Sequence, residues 1–162
     1  MRQTSYNYSI PLGVPGGIYD LSGKEIVTRL LDDGVQASPG LGLVNGKQPG
    51  MTVAKPISTA TVADFEGVFV NGSKNLENDQ NGYVVAKGSD ALGVMRQGKI
   101  WASIVDSATI SYGKKVAFIT DGDNAGCFTD EDDASEATKV TINATFNGKV
   151  DKNNGIAAIE LK

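Results

Sequence analysis

Three stretches combine residue types and spacings that could do chemistry. Gly93-Val94-Met95-Arg96-Gln97-Gly98-Lys99 fits the opening of a phosphate-cradling loop, whose glycines bare backbone N–H groups and whose lysine reaches the phosphates. The next residue would have to offer a hydroxyl to magnesium and start a helix. It is Ile100, and Trp101-Ala102-Ser103-Ile104-Val105 continues as a strand-like run, so the spacing predicts a hairpin reversal at Gly98. Asp121-Gly122-Asp123-Asn124-Ala125-Gly126 sets acidic residues at positions 1 and 3 of a calcium loop, glycine at 6 and Asp132 at 12. Ala125 occupies the position of a third oxygen ligand, which predicts a solvated acidic loop. Cys127 needs an activating base to be a nucleophile, and the carboxylates around it are expected to raise its pKa and leave a passive thiol.

The chain has no histidine, so it lacks the commonest general base, metal ligand and neutral-pH switch. Gly40-Leu41-Gly42-Leu43-Val44-Asn45-Gly46 is one residue too long for a dinucleotide fingerprint and has no helix behind it. With one cysteine, neither an internal disulfide nor a thiolate metal cluster is available. No catalytic pair, cofactor or metal site is expected, and the chain reads as non-enzymatic.

The 162 residues fit one domain with at most an appendage. The net charge of −4 is uneven: residues 121 to 137 hold seven carboxylates and no Lys or Arg. The rest carries a mild positive excess without a basic cluster, so direct nucleic-acid binding is not expected. No apolar run reaches the roughly 18 residues of a membrane span, and the N-terminus lacks a secretory apolar stretch. A soluble chain made in a cytoplasm is expected.

Elements that could position these residues are marked by turns. Five Asn-Gly pairs (45-46, 71-72, 81-82, 147-148 and 154-155) among 20 glycines suggest strand reversals, with Asp33-Gly34 and Asp121-Gly122 as further candidates. Val140 to Asn147 alternates strictly, with Val140, Ile142, Ala144 and Phe146 on one face. Phe65 to Val70, Tyr83 to Ala86, Leu92 to Met95, Lys99 to Val105, Lys115 to Ile119 and Ile156 to Leu161 have strand length and composition. The fold class expected is all-β, an antiparallel sandwich or barrel. Segment 23–33 stays open. Ser22-Gly23-Lys24-Glu25 has the form of a helix capping box, but Ile26, Thr28 and Leu30 also share one face of a strand.

Residues 1 to 20 lack a sustained period and read as an extended N-terminal arm before a single β-rich domain over 21–162. The arm mixes Pro and Gly with Tyr6, Tyr8, Ile10, Leu12, Val14, Ile18 and Tyr19, too apolar for a solvated tail. These seven residues are the candidate protein interface, packing on their own domain or on a partner.

Val62-Ala63-Asp64-Phe65-Glu66-Gly67-Val68-Phe69-Val70-Asn71-Gly72, Gly93 to Trp101, and Ile156-Ala157-Ala158-Ile159-Glu160-Leu161 resemble the capsid cement, or decoration, proteins of tailed bacteriophages. Ile10 to Gly17 and Asp20-Leu21-Ser22-Gly23 resemble that family's opening segment. The resemblance implies a virion structural protein, assembled in the host cytoplasm, on the outer surface of a capsid. There it would cement contacts between capsomers. Its partners would be the major capsid protein and copies of itself, as a dimer or trimer, with no nucleic acid and no membrane. It also tilts Glu25 to Leu31 toward strand. The alternative is a free-standing β-sandwich that binds a carbohydrate or other ligand, which the scarcity of aromatics outside the arm weakens.

Overall fold

The computed structural model describes residues 12–72, 77–78, 84–136 and 138–162. It is all-β. In chain order the strands are β1 (Ile18–Leu31), β2 (Gln36–Ala37), β3 (Gly42–Asn45), β4 (Thr52–Ala54), β5 (Phe65–Phe69), β6 (Glu77–Asn78), β7 (Val84–Lys87), β8 (Ala91–Ser103), β9 (Lys115–Ile119), β10 (Phe128–Asp130), β11 (Lys139–Asp151) and β12 (Ile156–Leu161). A 3-10 turn at Val62–Asp64 leads into β5.

Nine strands form one sheet in the order β1-β4-β3-β5-β8-β12-β11-β9-β10, and β1 pairs with β8 as well, so β1, β4, β3, β5 and β8 close into a ring. The β1–β4 pairing is parallel and the other ladders are antiparallel. At the far edge, Ile104 bridges Phe128 of β10, and Val105 N–H donates to the Phe128 carbonyl, bringing that edge back beside the end of β8. Closure of this kind hides strand edges that would otherwise invite unwanted pairing. A second, small sheet runs β2-β7-β6.

Side-chain alternation sorts the apolar residues into separate cores. Leu31, Leu43, Val53, Phe69, Leu92 and Val94 belong to the core of the ring. A larger core gathers Met95, Ile100, Phe118, Phe128, Phe146 and Ile159. Val140 to Phe146 behaves as its alternation dictates: Ile142, Ala144 and Phe146 are buried while Thr141 and Asn143 are exposed. Strand β12 lies between β8 and β11 and is covered on both faces, with Ala157 and Ile159 in the larger core and Ile156 and Ala158 against Trp101.

Two glycine-marked positions differ from the sequence reading. Gly98 is not a reversal: β8 runs unbroken from Ala91 to Ser103, and Gly98 sits within it at φ +123°. Opposite it the β1 register jumps from Asp20↔Lys99 to Glu25↔Gln97, so β1 carries extra residues, Leu21 to Lys24, as a bulge. An added Cβ at Gly98 would lie 3.0 Å from Lys24 Cβ, which is why glycine is needed there. Asn147-Gly148 likewise lies inside β11, at the register shift between Phe146 and Val150. Asn154-Gly155 does turn the chain, joining β11 to β12, and the β3–β4 hairpin closes through Asn45-Gly46, whose Gly46 N–H donates to Thr52. Asn81-Gly82 and Tyr83 lie outside the described residues.

Segment 23–33 resolves as strand through Leu31. The capping box does not form there because Asp20 Oδ1 takes both the Ser22 amide and its hydroxyl, each at 2.9 Å.

Candidate interaction surface

The arm is fastened at Trp101. Gly16 N–H donates to the Trp101 carbonyl at 2.7 Å, and Trp101 N–H donates to the Gly17 carbonyl at 2.9 Å. Gly17 N–H returns to Val14 O, folding Val14 to Gly17 into a turn, with Gly16 at φ +72°. Asn71 N–H then donates to Gly16 O at 2.8 Å. Gly13 lies so close to the indole that a Cβ would fall 2.4 Å from Nε1, so no other residue fits. Tyr19 meets the indole edge-on with ring centroids 5.5 Å apart, and Lys149 Nζ stands 5.7 Å over the Tyr19 ring.

The outcome for the candidate interface residues is mixed. Tyr6, Tyr8 and Ile10 lie outside the described residues. Ile18 is half-buried against the larger core and pairs with Ile100, and half-buried Tyr19 covers Trp101. Leu12 and Val14 face outward, 62% and 50% exposed. They rim a cleft of about 390 Å3 whose floor is Trp101 and whose far wall includes Tyr19 and Lys149. Leu12 N–H reaches Asp151 Oδ2 at 3.4 Å. Trp101 and Lys149 join this surface only in the fold: the sequence marks Trp101 as a strand residue, and Lys149 carries no sequence signal that places it here. Other apolar residues stand out in solvent as well, among them Leu21 in the β1 bulge, 73% exposed, Tyr112 beside Gly148, 82% exposed, and Met51, Ile57 and Val62.

Lys99 and two buried or bonded carboxylates of the acidic stretch are engaged structurally. Lys99 Nζ lies 3.2 Å from Asp20 Oδ2. In the acidic stretch, Asp130 is buried and accepts Thr109 N–H at 2.9 Å and Lys114 Nζ at 2.7 Å. Asp133 collects the Thr129 and Ser107 hydroxyls on Oδ2 and the Ser135 amide and hydroxyl on Oδ1. Acidic side chains here staple the loops around β10. Among the described residues no three His, Cys, Asp or Glu side chains gather into a metal-binding group.

These contacts set the pH behaviour. Ser22 and Lys99 hold Asp20 down at about 2, and the Ser135 and Thr129 hydrogen bonds keep Asp133 below the ordinary carboxylate range. Burial pushes Asp130 up, but the Lys114 and Thr109 bonds and the Lys114 charge outweigh it and leave it low. Burial drives the Cys127 thiol up to about 11, against the opposing Lys55 charge and with a smaller push from Glu136. The carboxylates expected to raise it are thus the lesser cause.

Depressed carboxylates mean that the unfolded chain binds more protons than the folded one below about pH 4. Their stabilisation is complete above that pH and fades as pH falls toward 2. A raised thiol pKa reverses the inequality between about pH 9 and 11, so stability falls there as pH rises. Urea midpoints are expected to be level from about pH 5 to 8 and to drop on both sides. A midpoint that climbed below pH 4 would contradict this assignment.

No curated protein sequence matches the chain. A chain from the solved capsid of Myoviridae phage XM1 has the same fold, with a TM-score of 0.75 over 100% of this chain and 97% of that one, at 14% identity. Residues 2–162 match the model of the structural cement protein family (E217 gp24/Pam3 gp6), and the chain belongs to that family, the structural cement of phage capsids.

Proposed function

We propose that the protein sits on the outer surface of the capsid and bridges neighbouring major capsid protein subunits, in association with copies of itself. It acts by binding, without a chemical step. The arm, residues 1 to 20, is the contact segment, and 21–162 is the rigid body that carries it. The observation behind this reading is the split character of the arm. Gly13 to Tyr19 is pinned on Trp101, while the Leu12 and Val14 side chains turn outward at the rim of a cleft of mixed polar and apolar lining. A contact segment launched from a fixed point loses less entropy on docking than a free tail, and a body that spans subunits gains from effective concentration.

The test uses Leu12→Asp/Val14→Asp protein and capsids assembled without cement. Both side chains are already exposed, so the unfolding free energy from urea titration is expected to stay within about 0.5 kcal/mol of wild type. Burying two aliphatic side chains is worth about 3 kcal/mol or more, so capsid affinity is expected to fall roughly hundredfold. Unchanged capsid occupancy by this variant would remove the arm from the interface.

A further inference from the structure

We infer that Asn71 is a self-modification site, at which the Gly72 amide nitrogen converts the side chain to a carboxylate, next to the arm's anchor. The reaction needs no enzyme. The Gly72 nitrogen attacks Asn71 Cγ and forms a new N–C bond. Ammonia leaves with the side-chain nitrogen, giving a cyclic imide. Water then opens the ring. Cleavage of the new bond leaves an ordinary aspartyl main chain, and cleavage at the original peptide carbonyl leaves an isoaspartyl link, in which the main chain runs through the side chain. The sum is amide plus water giving carboxylate plus ammonium, with no change of oxidation state.

Ring closure requires a glycine N–H free of hydrogen bonds and an unrestrained carboxamide, and the fold distributes these unequally. Gly46 N–H is bonded to Thr52 O at 2.8 Å. Gly155 N–H donates to Lys152 O, and the Asn154 carboxamide is held by Asp151 Oδ2 at 2.7 Å. Asn147-Gly148 lies within β11 at its register shift, with Asn147 half-buried and Gly148 packed against Tyr112, whose Cβ would lie 3.3 Å from a Cβ at 148. At Asn71-Gly72 both residues are exposed, no hydrogen bond holds the Gly72 amide, and space around its Cα is open. The Asn71 amide, in contrast, is fixed to Gly16 O. Conversion therefore adds a charge, and in the isoaspartyl form an extra main-chain atom, immediately after the bond that holds the arm's turn.

The test is peptide mapping of the full chain, with isoaspartate detection, after incubation at mildly alkaline pH. Conversion at position 71 is expected ahead of positions 45, 147 and 154. Gly72 does not have positive φ and an added Cβ meets nothing within 4 Å, so Gly72→Ala keeps the fold. That substitution crowds the attacking nitrogen, and the product at 71 should be lost. In urea, where every glycine amide is released, the lead of position 71 should disappear. Earlier conversion at 45, 147 or 154, product at 71 that survives Gly72→Ala, or a lead that persists in urea would each overturn the inference.

Discussion

Trp101→Ala is expected to cost about 3 to 5 kcal/mol of unfolding free energy, the cost typical of losing a large buried aromatic. Trp101 is 5% exposed and stands between two layers. Ile156 and Ala158 of β12 support it from below, Tyr19 meets its edge, and Gly13 crosses over it. Without the indole, the arm's hydrogen bonds from Gly16 and to Gly17 span a void. Lys99→Ala, two residues away, removes only a half-exposed ion pair to Asp20 and is expected to cost well under about 1 kcal/mol. Denaturant midpoints of the two variants measure the contrast directly. Equal losses would mean that the arm does not depend on Trp101.

Glu66→Ala is expected to be the next largest loss, by a different mechanism. Arg29 Nη2 lies 2.7 Å from Glu66 Oε1, with Nε at 2.9 Å, and the side chains are 15% and 8% exposed. The pair ties β1 to β5, which are not neighbours in the ladder. Removing the carboxylate leaves the half-buried guanidinium with only the Thr28 carbonyl to bond, at a cost of up to about 3 kcal/mol. Arg29→Met/Glu66→Leu takes away both charges and keeps the volume, so it should recover most of that loss. A double variant as unstable as the sum of the single ones would show that the two residues act independently.

Local patterns carried the fold class because alternation is a local property: Val140 to Phe146 announces its buried face without reference to any partner strand. Glycine turns are different. A positive-φ glycine looks the same in a hairpin, as at Gly155, and in a bulge within a continuous strand, as at Gly98 and Gly148. Only the pairing partner distinguishes them, and the partner of Gly98 is the Leu21–Lys24 bulge, more than 70 positions earlier in the chain. Ser22 shows the same limit. Its capping potential is real, but Asp20 and the β1–β8 ladder claim it first. The arm was legible as an apolar segment, but the direction of each side chain was not. Nothing in an aperiodic stretch tells that Tyr19 and Ile18 turn inward while Leu12 and Val14 turn out. That choice is made by Trp101, whose own sequence signal was only that of a buried strand residue.

The central claim, that this chain strengthens a capsid by binding it, is tested most directly by adding the purified protein to capsids assembled without it and recording the temperature at which they release their genome. A ligand of the intact shell stabilises it by mass action, so the release temperature is expected to climb with protein concentration and to level off when the sites are full. A release temperature that stayed constant while the protein saturated the shell would contradict the claim.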